Sequence, residues 1–456
     1  MQIHNLDNVE VDLKNGHKYA LCDIPKNSDI IKYGQPIGRA TKDIKTGDHV
    51  HSHNMATNLG ENLEYLYEPN FKPTEKAENI PTFMGYIRKN GEIGIRNDIW
   101  IVNTVVCVNK VAERLSQLTG ALSFPHPNGC SQLGDDMSVT QKILCGMVNH
   151  PNAGGVLVLG LGCENNNIGE FKKVLGEYDP ERVRFLNTQD VEDELEEGVK
   201  LINELKEYAS KFQRQPIPVA ELKLGLKCGG SDGYSGITAN PLVGRVSDRL
   251  ISMGGSCVLT EVPEMFGAEH LLMKRCINEN IFNKTVDLIN EFKDYFRRHG
   301  QVVYENPSPG NKDGGITTLE EKSLGCIQKG GLAPVVDVLN YGDRLTKNGL
   351  SLLNGPGNDA VAITNLMAAG VHMILFTTGR GTPIGSPVPT VKISTNKALA
   401  EKKSNWIDFD ASPTLEGKPL TDELFDYILS VASGEETKNE INNYREISIF
   451  KDGVTL

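Results

Sequence analysis

The stretch Glu221–Glu261 reads ELKLGLKCGGSDGYSGITANPLVGRVSDRLISMGGSCVLTE, and the order of its elements decides the fold class. Leu222, Leu224 and Leu226 make an apolar alternating run, the pattern of a strand. The run breaks at Lys227 and Cys228 into the glycine-rich loop Gly229–Gly236. A helix follows, with Asn240 expected at its N-cap and Pro241 at its first position, where the missing N–H is not needed. Gly254 and Gly255 stop that helix, and Ser256–Thr260 supply the next strand, which closes on Glu261. Strand, glycine loop, helix and strand of this length make a βαβ crossover. Ligands of such units gather at the carboxyl ends of the strands. Here that end carries the Cys228 thiol, the Asp232 carboxylate and a row of backbone amides, so it is expected to form the centre of a small-molecule site.

Working outward, a chain of 456 residues accommodates two or three domains, and 39% hydrophobic content suffices for true cores. A net charge of −12 without a basic stripe argues against nucleic-acid binding. An anionic substrate would then need local Arg and Lys to overcome the overall field. No apolar run approaches the ~20 residues of a membrane span, and MQIHNLDNVEV lacks a signal-peptide core, so a cytoplasmic protein with no membrane partner is expected. Nine cysteines, an odd number in such a chain, do not suggest a disulfide framework. Cys107, Cys257 and Cys276 sit in apolar patterns and are expected to be small buried hydrophobes. Cys130, Cys163, Cys228 and Cys326 each adjoin a glycine, and the first three lie in or beside loops with other polar groups.

The N-terminal 70 residues read as a small β unit, with short apolar runs separated by turn signals at Asn15-Gly16, Pro25, Tyr33-Gly34 and Gly47-Asp48. His51 and His53 close it, two apart, and on a strand both would share one face. Glu61–Ile80 is polar, carries two prolines and reads as a linker, with the domain boundary itself expected at 71–80. From Pro81 the texture becomes α/β. Asn90-Gly91 marks a hairpin turn, Ile99–Val106 a buried strand, and Arg88, Lys89 and Arg96 cluster at the strand's entry. In Phe124–Asp136 a turn-rich loop holds His126 and Cys130, four apart, a spacing that suits one metal. Gly155–Leu161 is a buried strand ending in Gly162-Cys163, and Asp190–Gln213 carries a charged, solvated helix.

Beyond the opening unit, Glu261 and Glu264 at a strand end are costly to bury without a cation, solvent or ligand. Pro307, Pro309, Gly310, Gly314 and Gly315 forbid regular structure before a helix for which Thr317/Glu320 and Thr318/Glu321 both fit a capping box. Lys322 falls in that helix's first turns, where the dipole disfavours a cation unless an anion is near. Val371–Phe376 reads as the last strand, and Arg380, set between glycines just after it, suits bidentate capture of a carboxylate. Residues 415–450 look helical and peripheral. The glycine loop does not match G-x-G-x-x-G, and G-x-x-x-x-G-K-[ST] is absent, which weakens nucleotide readings. Soft and imidazole ligands at glycine-rich strand ends suit iron or zinc better than magnesium. The residues point to a metal-assisted enzyme acting on a small polar anion.

In chain order, HSHNMATNL, GYIRKNGEIGIRN, VLGLGCE, LKCGGSDGYSGITANP, TEVPEMFGAE, GNKDGGITTLEEKSLG and FTTGRGTPIGSPVPTVKISTN resemble the motifs of the altronate/galactarate dehydratase family of hydro-lyases. The resemblance covers nearly the whole chain. It implies a multidomain α/β protein: a small N-terminal β-clip (SAF-type) domain at 1–70, a linker at 71–80, a middle α/β domain at 81–218 used in dimerisation, and a C-terminal Rossmann-like domain with a parallel sheet at 219–456. It also implies a homodimer, reducing conditions, Fe2+ (or Mn2+ in its place) and a small anionic sugar acid as substrate. The length and the attached β unit favour dehydration of D-altronate to 2-dehydro-3-deoxy-D-gluconate and water. Galactarate dehydration and the sulfolactate sulfo-lyase reaction are the near competitors, and a non-catalytic sugar-acid binder is the alternative from another class. Mapped onto this chain, the expectation is a metal at Cys130, Cys163, Cys228 and His51, and catalytic groups among Lys322, His53, His126 and Glu321. Substrate contacts are expected from Arg380, Asn311, Gly229, Gly230, Ser231, Asp232, Arg96 and Thr377.

Overall fold

In a computed structural model, which describes residues 1–60 and 65–456, Lys223–Cys228 is the central strand of a seven-stranded sheet. Residues 61–64, the opening of the expected linker, lie outside the described residues. The strand order is Val335–Leu339, Gly349–Leu353, Ser256–Leu259, Lys223–Cys228, Met373–Thr378, Thr390–Ser394, Phe409–Asp410, and every neighbouring pair is parallel. Parallel sheets are covered on both faces, so their strands are apolar throughout rather than alternating. Gly349–Leu353 and Met373–Thr378 are accordingly buried at every position. From Lys223–Cys228 the chain runs to one side of the sheet and returns on the other side at Met373–Thr378. The crevice between these two strands is therefore the topological switch point where ligands bind in such sheets. Gly229 N donates to Thr377 O (3.0 Å) across it.

Several expectations shift. The strand expected at Val371–Phe376 is Met373–Thr378, and two more strands follow it, Thr390–Ser394 and Phe409–Asp410, hidden in the sequence by prolines and by Lys392 in mid-strand. The first crossover helix, Ala239–Ser252, has Thr238 at its N-cap position without a capping side-chain bond, and Asn240 lies inside it with its amide donating to Gly325 O (3.0 Å). The C-terminal segment is not peripheral, since Thr421–Ala432 buries Leu424, Phe425, Ile428 and Val431.

The N-terminal unit is a pair of three-stranded antiparallel sheets, one of Val9–Val11, Lys18–Ala20 and His49–Val50, the other of Asp29–Lys32, Gln35–Ala40 and Met55–Ala56. The strand stops at Val50, and residues 51–54 turn: Asn54 N donates to His51 O and His51 N to Asn54 Oδ1, both at 2.9 Å. His51 and His53 are thus not on one strand. The unit docks on the C-terminal half through backbone contact and buried charge. A Cβ on Gly233 would sit 1.9 Å from Gly16 O, so only glycine permits that approach. Beside it, the buried Lys18 and Lys32 each reach a Glu321 carboxylate oxygen at 2.8 Å. Burial alone would raise the Glu321 carboxyl, but the two ammonium groups outweigh it and hold it at about 2. Lys18 itself falls to about 8, because burial and the nearby Lys32 outweigh its attraction to Glu321. Residues 65–80 lie along the C-terminal half, where Asn70 N donates to Lys274 O (2.8 Å) and Ala77 N to Ser252 O (2.9 Å).

The middle stretch of the chain forms a four-stranded parallel sheet ordered Leu122–Ser123, Asp98–Asn103, Ala153–Gly160, Val183–Asn187. The expected hairpin precedes it as Thr82–Ile87 paired antiparallel with Ile93–Gly94. Arg96 is buried and bidentate to Glu440 (2.7 and 3.0 Å), with Ile95 O and Val431 O as further acceptors. It ties the middle sheet to the C-terminal helices and has no reach to the switch point's ligands.

Glu321→Ala leaves two buried ammonium groups unpaired, a change that costs about 3–5 kcal/mol. A clear drop in the thermal midpoint is expected by differential scanning fluorimetry, largely recovered when Lys18 and Lys32 are also replaced by Met. Because the folded Glu321 carboxyl lies below its ordinary 4.5, its stabilising effect is complete above pH 4.5 and is lost as pH falls toward about 2.

Candidate active site and metal centre

Three side chains converge at the switch point. Cys228 ends the central strand, Glu264 stands on the short turn Val262–Glu264 after the next strand, and Cys326 ends the helix Leu319–Cys326. The sulfurs are 3.3 Å apart, and Glu264 Oε2 lies 3.2 Å from Cys228 Sγ and 3.1 Å from Cys326 Sγ. All three are buried. Glu261 makes this possible by adopting φ +73°, a left-handed conformation rare outside glycine that is kept where the surroundings over-determine it. Its carboxylate turns inward, accepting from Cys228 N (3.0 Å), Lys329 Nζ (3.1 Å) and Lys227 Nζ.

The charges around the thiols balance. Lys227, Lys322 and Lys329 face Glu261, Glu264 and Asp359, through Lys227–Glu261, Lys227–Asp359 (2.8 Å), Lys329–Glu261 (3.1 Å) and Lys322–Glu264 (2.8 Å). Burial opposes the Lys322 charge, but Glu264 and the neighbouring Cys326 and Cys228 outweigh it, so the ammonium is held above the ordinary lysine range. Burial likewise opposes the Glu264 charge, yet Lys322, Lys227 and Lys329 keep its carboxyl well below the ordinary range. The hydrogen bond with Cys228, and then burial, hold the Cys326 thiol well above its ordinary range. Three cations stand against three carboxylates around the two thiols. Ionising both adds two negative charges, which one divalent cation cancels. Two sulfurs and a carboxylate oxygen form a donor set suited to iron or zinc. Among the described residues these are the three or more His, Cys, Asp or Glu side chains whose ligand atoms all lie within 4.8 Å of one another.

The group opens onto a cavity of about 560 Å3 lined by Gly229, Gly230, Asn311, Lys312, Lys322 and Asp359. Lys322 Nζ also donates to Asn306 Oδ1 (3.0 Å) and Asn311 Oδ1 (3.2 Å). A Cβ on Gly229 would lie 2.6 Å from Asp359 Oδ2, so this glycine lets the carboxylate reach the cavity.

Of the residues expected at a site, Cys228, Lys322, Asn311, Gly229 and Gly230 come together here. The Asn311 amide is already engaged, donating to Ser231 O (2.8 Å) and accepting from Lys322 and Ser308. Gly229–Gly233 also satisfies the G-x-S-x-G pattern of a nucleophile elbow. Ser231 is nevertheless buried, with no histidine partner among the described residues, so the pattern carries no acyl-transfer chemistry. The Asp232 carboxylate organises the loop instead, accepting from Ser235 Oγ (3.0 Å), Thr395 Oγ1 (2.9 Å) and Asn396 Nδ2 (3.0 Å). Thr377 is buried and donates to Asn240 Oδ1 (2.6 Å). Arg380 is exposed and lines a separate cavity with Asp232 and Asn396. Glu321 and Arg96 are committed to the contacts described above. His126 is buried, its ring nitrogens at 2.8 Å from Asn103 O and 3.2 Å from Asn128 N, with burial lowering its pKa. Cys130 and Cys163 are exposed on loops of the middle sheet and do not join the Cys228 group, and Cys107, expected to be buried, is exposed as well. His51 and His53 belong to a histidine cluster on the β unit, where His51 Nε2 is 3.0 Å from Lys312 O. The site's remaining members, Cys326, Asp359, Lys227 and Lys329, were not singled out from the sequence as site residues. The signals were a cysteine beside a glycine and a lysine closing an apolar strand.

Three family models match in series: the altronate/galactarate dehydratase SAF domain over 1–58, the D-galactarate dehydratase/altronate hydrolase second domain over 85–210, and the D-galactarate/altronate dehydratase C-terminal domain over 219–455. The chain belongs to the altronate/galactarate dehydratase family. An altronate dehydratase of Bacillus subtilis (strain 168) is 54% identical over 463 aligned residues, covering 98% of this chain and 93% of that protein. One from Escherichia coli (strain K12) is 51% identical over 100% of this chain and 99% of that protein. Galactarate dehydratase (L-threo-forming) of Escherichia coli (strain K12) is 33% identical over 93% and 87%. Family membership makes the protein a hydro-lyase with an N-terminal SAF domain, and no helix among the described residues is long and apolar enough to cross a membrane.

Cys228→Ser and Cys326→Ser are each expected to weaken Co2+ binding by at least the roughly 10–100-fold that loss of an outer-shell partner costs. The thiolate charge-transfer absorption of the anaerobic Co2+-loaded protein reads this directly.

Proposed function

We propose that the protein dehydrates a sugar acid, D-altronate foremost, to 2-dehydro-3-deoxy-D-gluconate and water, with Fe2+ held by Cys228, Glu264 and Cys326. The observation that carries the reading is the Lys322 ammonium, buried beside a charge-balanced thiol–carboxylate group and open to a cavity. The full-length similarity to proteins named altronate dehydratase supports altronate over galactarate.

Removing the proton α to a carboxylate builds negative charge on that carboxylate, and water-excluded, preorganised cations stabilise such charge most strongly. Lys322 supplies one, fixed by Glu264, Asn306 and Asn311 before substrate arrives. Lys312, at the cavity's wall, adds a second cation for the substrate's acid group. The Gly230 N–H and the Asn306 amide offer hydrogen bonds to the polyol. Asp359 is the base the geometry favours: Lys227 holds its Oδ1 at 2.8 Å, while Oδ2 makes no hydrogen bond among the described residues. It takes the α-proton and returns it to the departing β-hydroxyl, which leaves as water, and the enol product tautomerises to the 2-keto acid. Fe2+, when bound, supplies Lewis-acid polarisation of a substrate oxygen.

The test is an anaerobic assay of the Fe2+-reconstituted protein with altronate, galactarate and sulfolactate, following keto-acid formation. Turnover of altronate at least tenfold above the other two supports the reading. Turnover confined to galactarate or sulfolactate moves the specificity, and binding without turnover of any of them removes the catalytic reading. Lys322→Met is expected to lower kcat about 10²–10³-fold, as removal of one donor to a developing oxyanion does. Its Co2+ absorption should stay intact, which separates a charge-stabilising role from a metal-holding one.

A further inference from the structure

Cys228 and Cys326 present their sulfurs to each other at 3.3 Å, and no other two cysteines are hydrogen-bonded to each other among the described residues. Rigid elements impose this spacing. Cys228 closes the central strand, where its N–H donates to Glu261 Oε2 (3.0 Å) and that of Gly229 to Thr377 O (3.0 Å). Cys326 closes the helix Leu319–Cys326, and the preceding Gly325 O accepts from the Asn240 amide (3.0 Å). A Cβ on Gly236 would lie 3.0 Å from Gly325 Cα, so the glycine loop and the helix end meet backbone to backbone. The two cysteines differ in access. Cys228 lines the cavity of about 560 Å3, whereas the buried Cys326 is not among its lining residues. A bond between them needs the sulfurs to close from 3.3 Å to about 2.05 Å, a movement that rotation about the two Cα–Cβ bonds supplies.

We propose that Cys228 and Cys326 are an oxidant-reactive pair, which a peroxide converts to an intramolecular disulfide. Hydrogen peroxide entering the cavity meets Cys228 first. The Cys228 sulfur takes one peroxide oxygen and becomes the sulfenic acid, while the O–O bond breaks and the other oxygen leaves as water. The Cys326 sulfur then attacks the sulfenic sulfur. The S–S bond forms, the S–O bond breaks, and the sulfenic hydroxyl leaves with the Cys326 proton as a second water. Two thiols lose two electrons and one peroxide is reduced to two waters. A second sulfur at 3.3 Å captures the sulfenic acid before further peroxide carries it to the irreversible sulfinic acid. The disulfide removes both sulfur ligands assigned to the metal in the proposed function, so disulfide and bound ion exclude each other. Only this exclusion rests on that reading, and the oxidation itself does not.

The test treats the full-length, metal-stripped protein with excess hydrogen peroxide, alkylates the free thiols and maps the unreduced peptides by mass spectrometry. The expected product is the Cys228 peptide joined to the Cys326 peptide with loss of two hydrogens, reversed by dithiothreitol. Cys326→Ser should instead leave Cys228 as a sulfenic acid that dimedone traps. Co2+ at about ten times its Kd should slow the linkage about tenfold, since only the ion-free fraction carries free thiols. Linkage that Co2+ does not slow refutes the metal assignment and leaves the disulfide standing. A protein in which both thiols survive while the exposed cysteines oxidise, or in which Cys228 reaches the sulfinic acid without linking to Cys326, overturns the proposal.

Discussion

The structure around the switch point depends on one constraint: ionised groups taken out of water must be matched by opposite charge. Lys227, Lys322 and Lys329 would each be costly in that core alone, as would Glu261 and Glu264, while Asp359 is partly exposed at its edge. Together they permit a polar group of this density beneath a parallel sheet. The strained turn at Glu261 follows from the same requirement, since only that backbone geometry brings its carboxylate back over Lys227 and Lys329. The two thiols sit inside this balanced frame.

The same physics joins the SAF domain to the rest. Glu321 and Lys322 are consecutive on one helix and meet different partners. Glu321 closes the interface with Lys18 and Lys32, and Lys322 points into the cavity. One turn of helix therefore joins domain docking to the presentation of a buried cation at the cavity. Gly16, Gly233 and Gly315 allow the backbones to approach closely enough for these ion pairs to form without water between them.

Much of this was legible in the chain. The strand–glycine loop–helix–strand reading of Glu221–Glu261 placed Cys228 at a ligand-facing strand end, and Lys322 stood out because a helix N-terminus disfavours a bare cation. The motif resemblance supplied the family and the domain order. Less legible were the partners. Arg96, His126 and Thr377 were expected at the site, yet each meets its hydrogen-bonding needs within the protein core. Cys130 and Cys163 carry the same glycine-flanked signature as Cys228, but they sit on another sheet.

The amino-acid sequence by itself determined the apolar runs, the glycine punctuation and the family motifs, and hence the parallel sheet and the strand end that bears the site, because those follow from local periodicity and backbone freedom. Only the tertiary structure decided which thiol pairs with Cys228, which acids face Lys322 and Lys227, and that the histidines of the SAF domain gather across two strands. Those pairings join residues tens to hundreds of positions apart, and the requirement that chooses among them is charge balance in a buried volume. No single stretch of chain contains that information. Glu221–Glu261 names the place of the site, and Glu264, Cys326 and Asp359 complete it only once the sheet has closed around them.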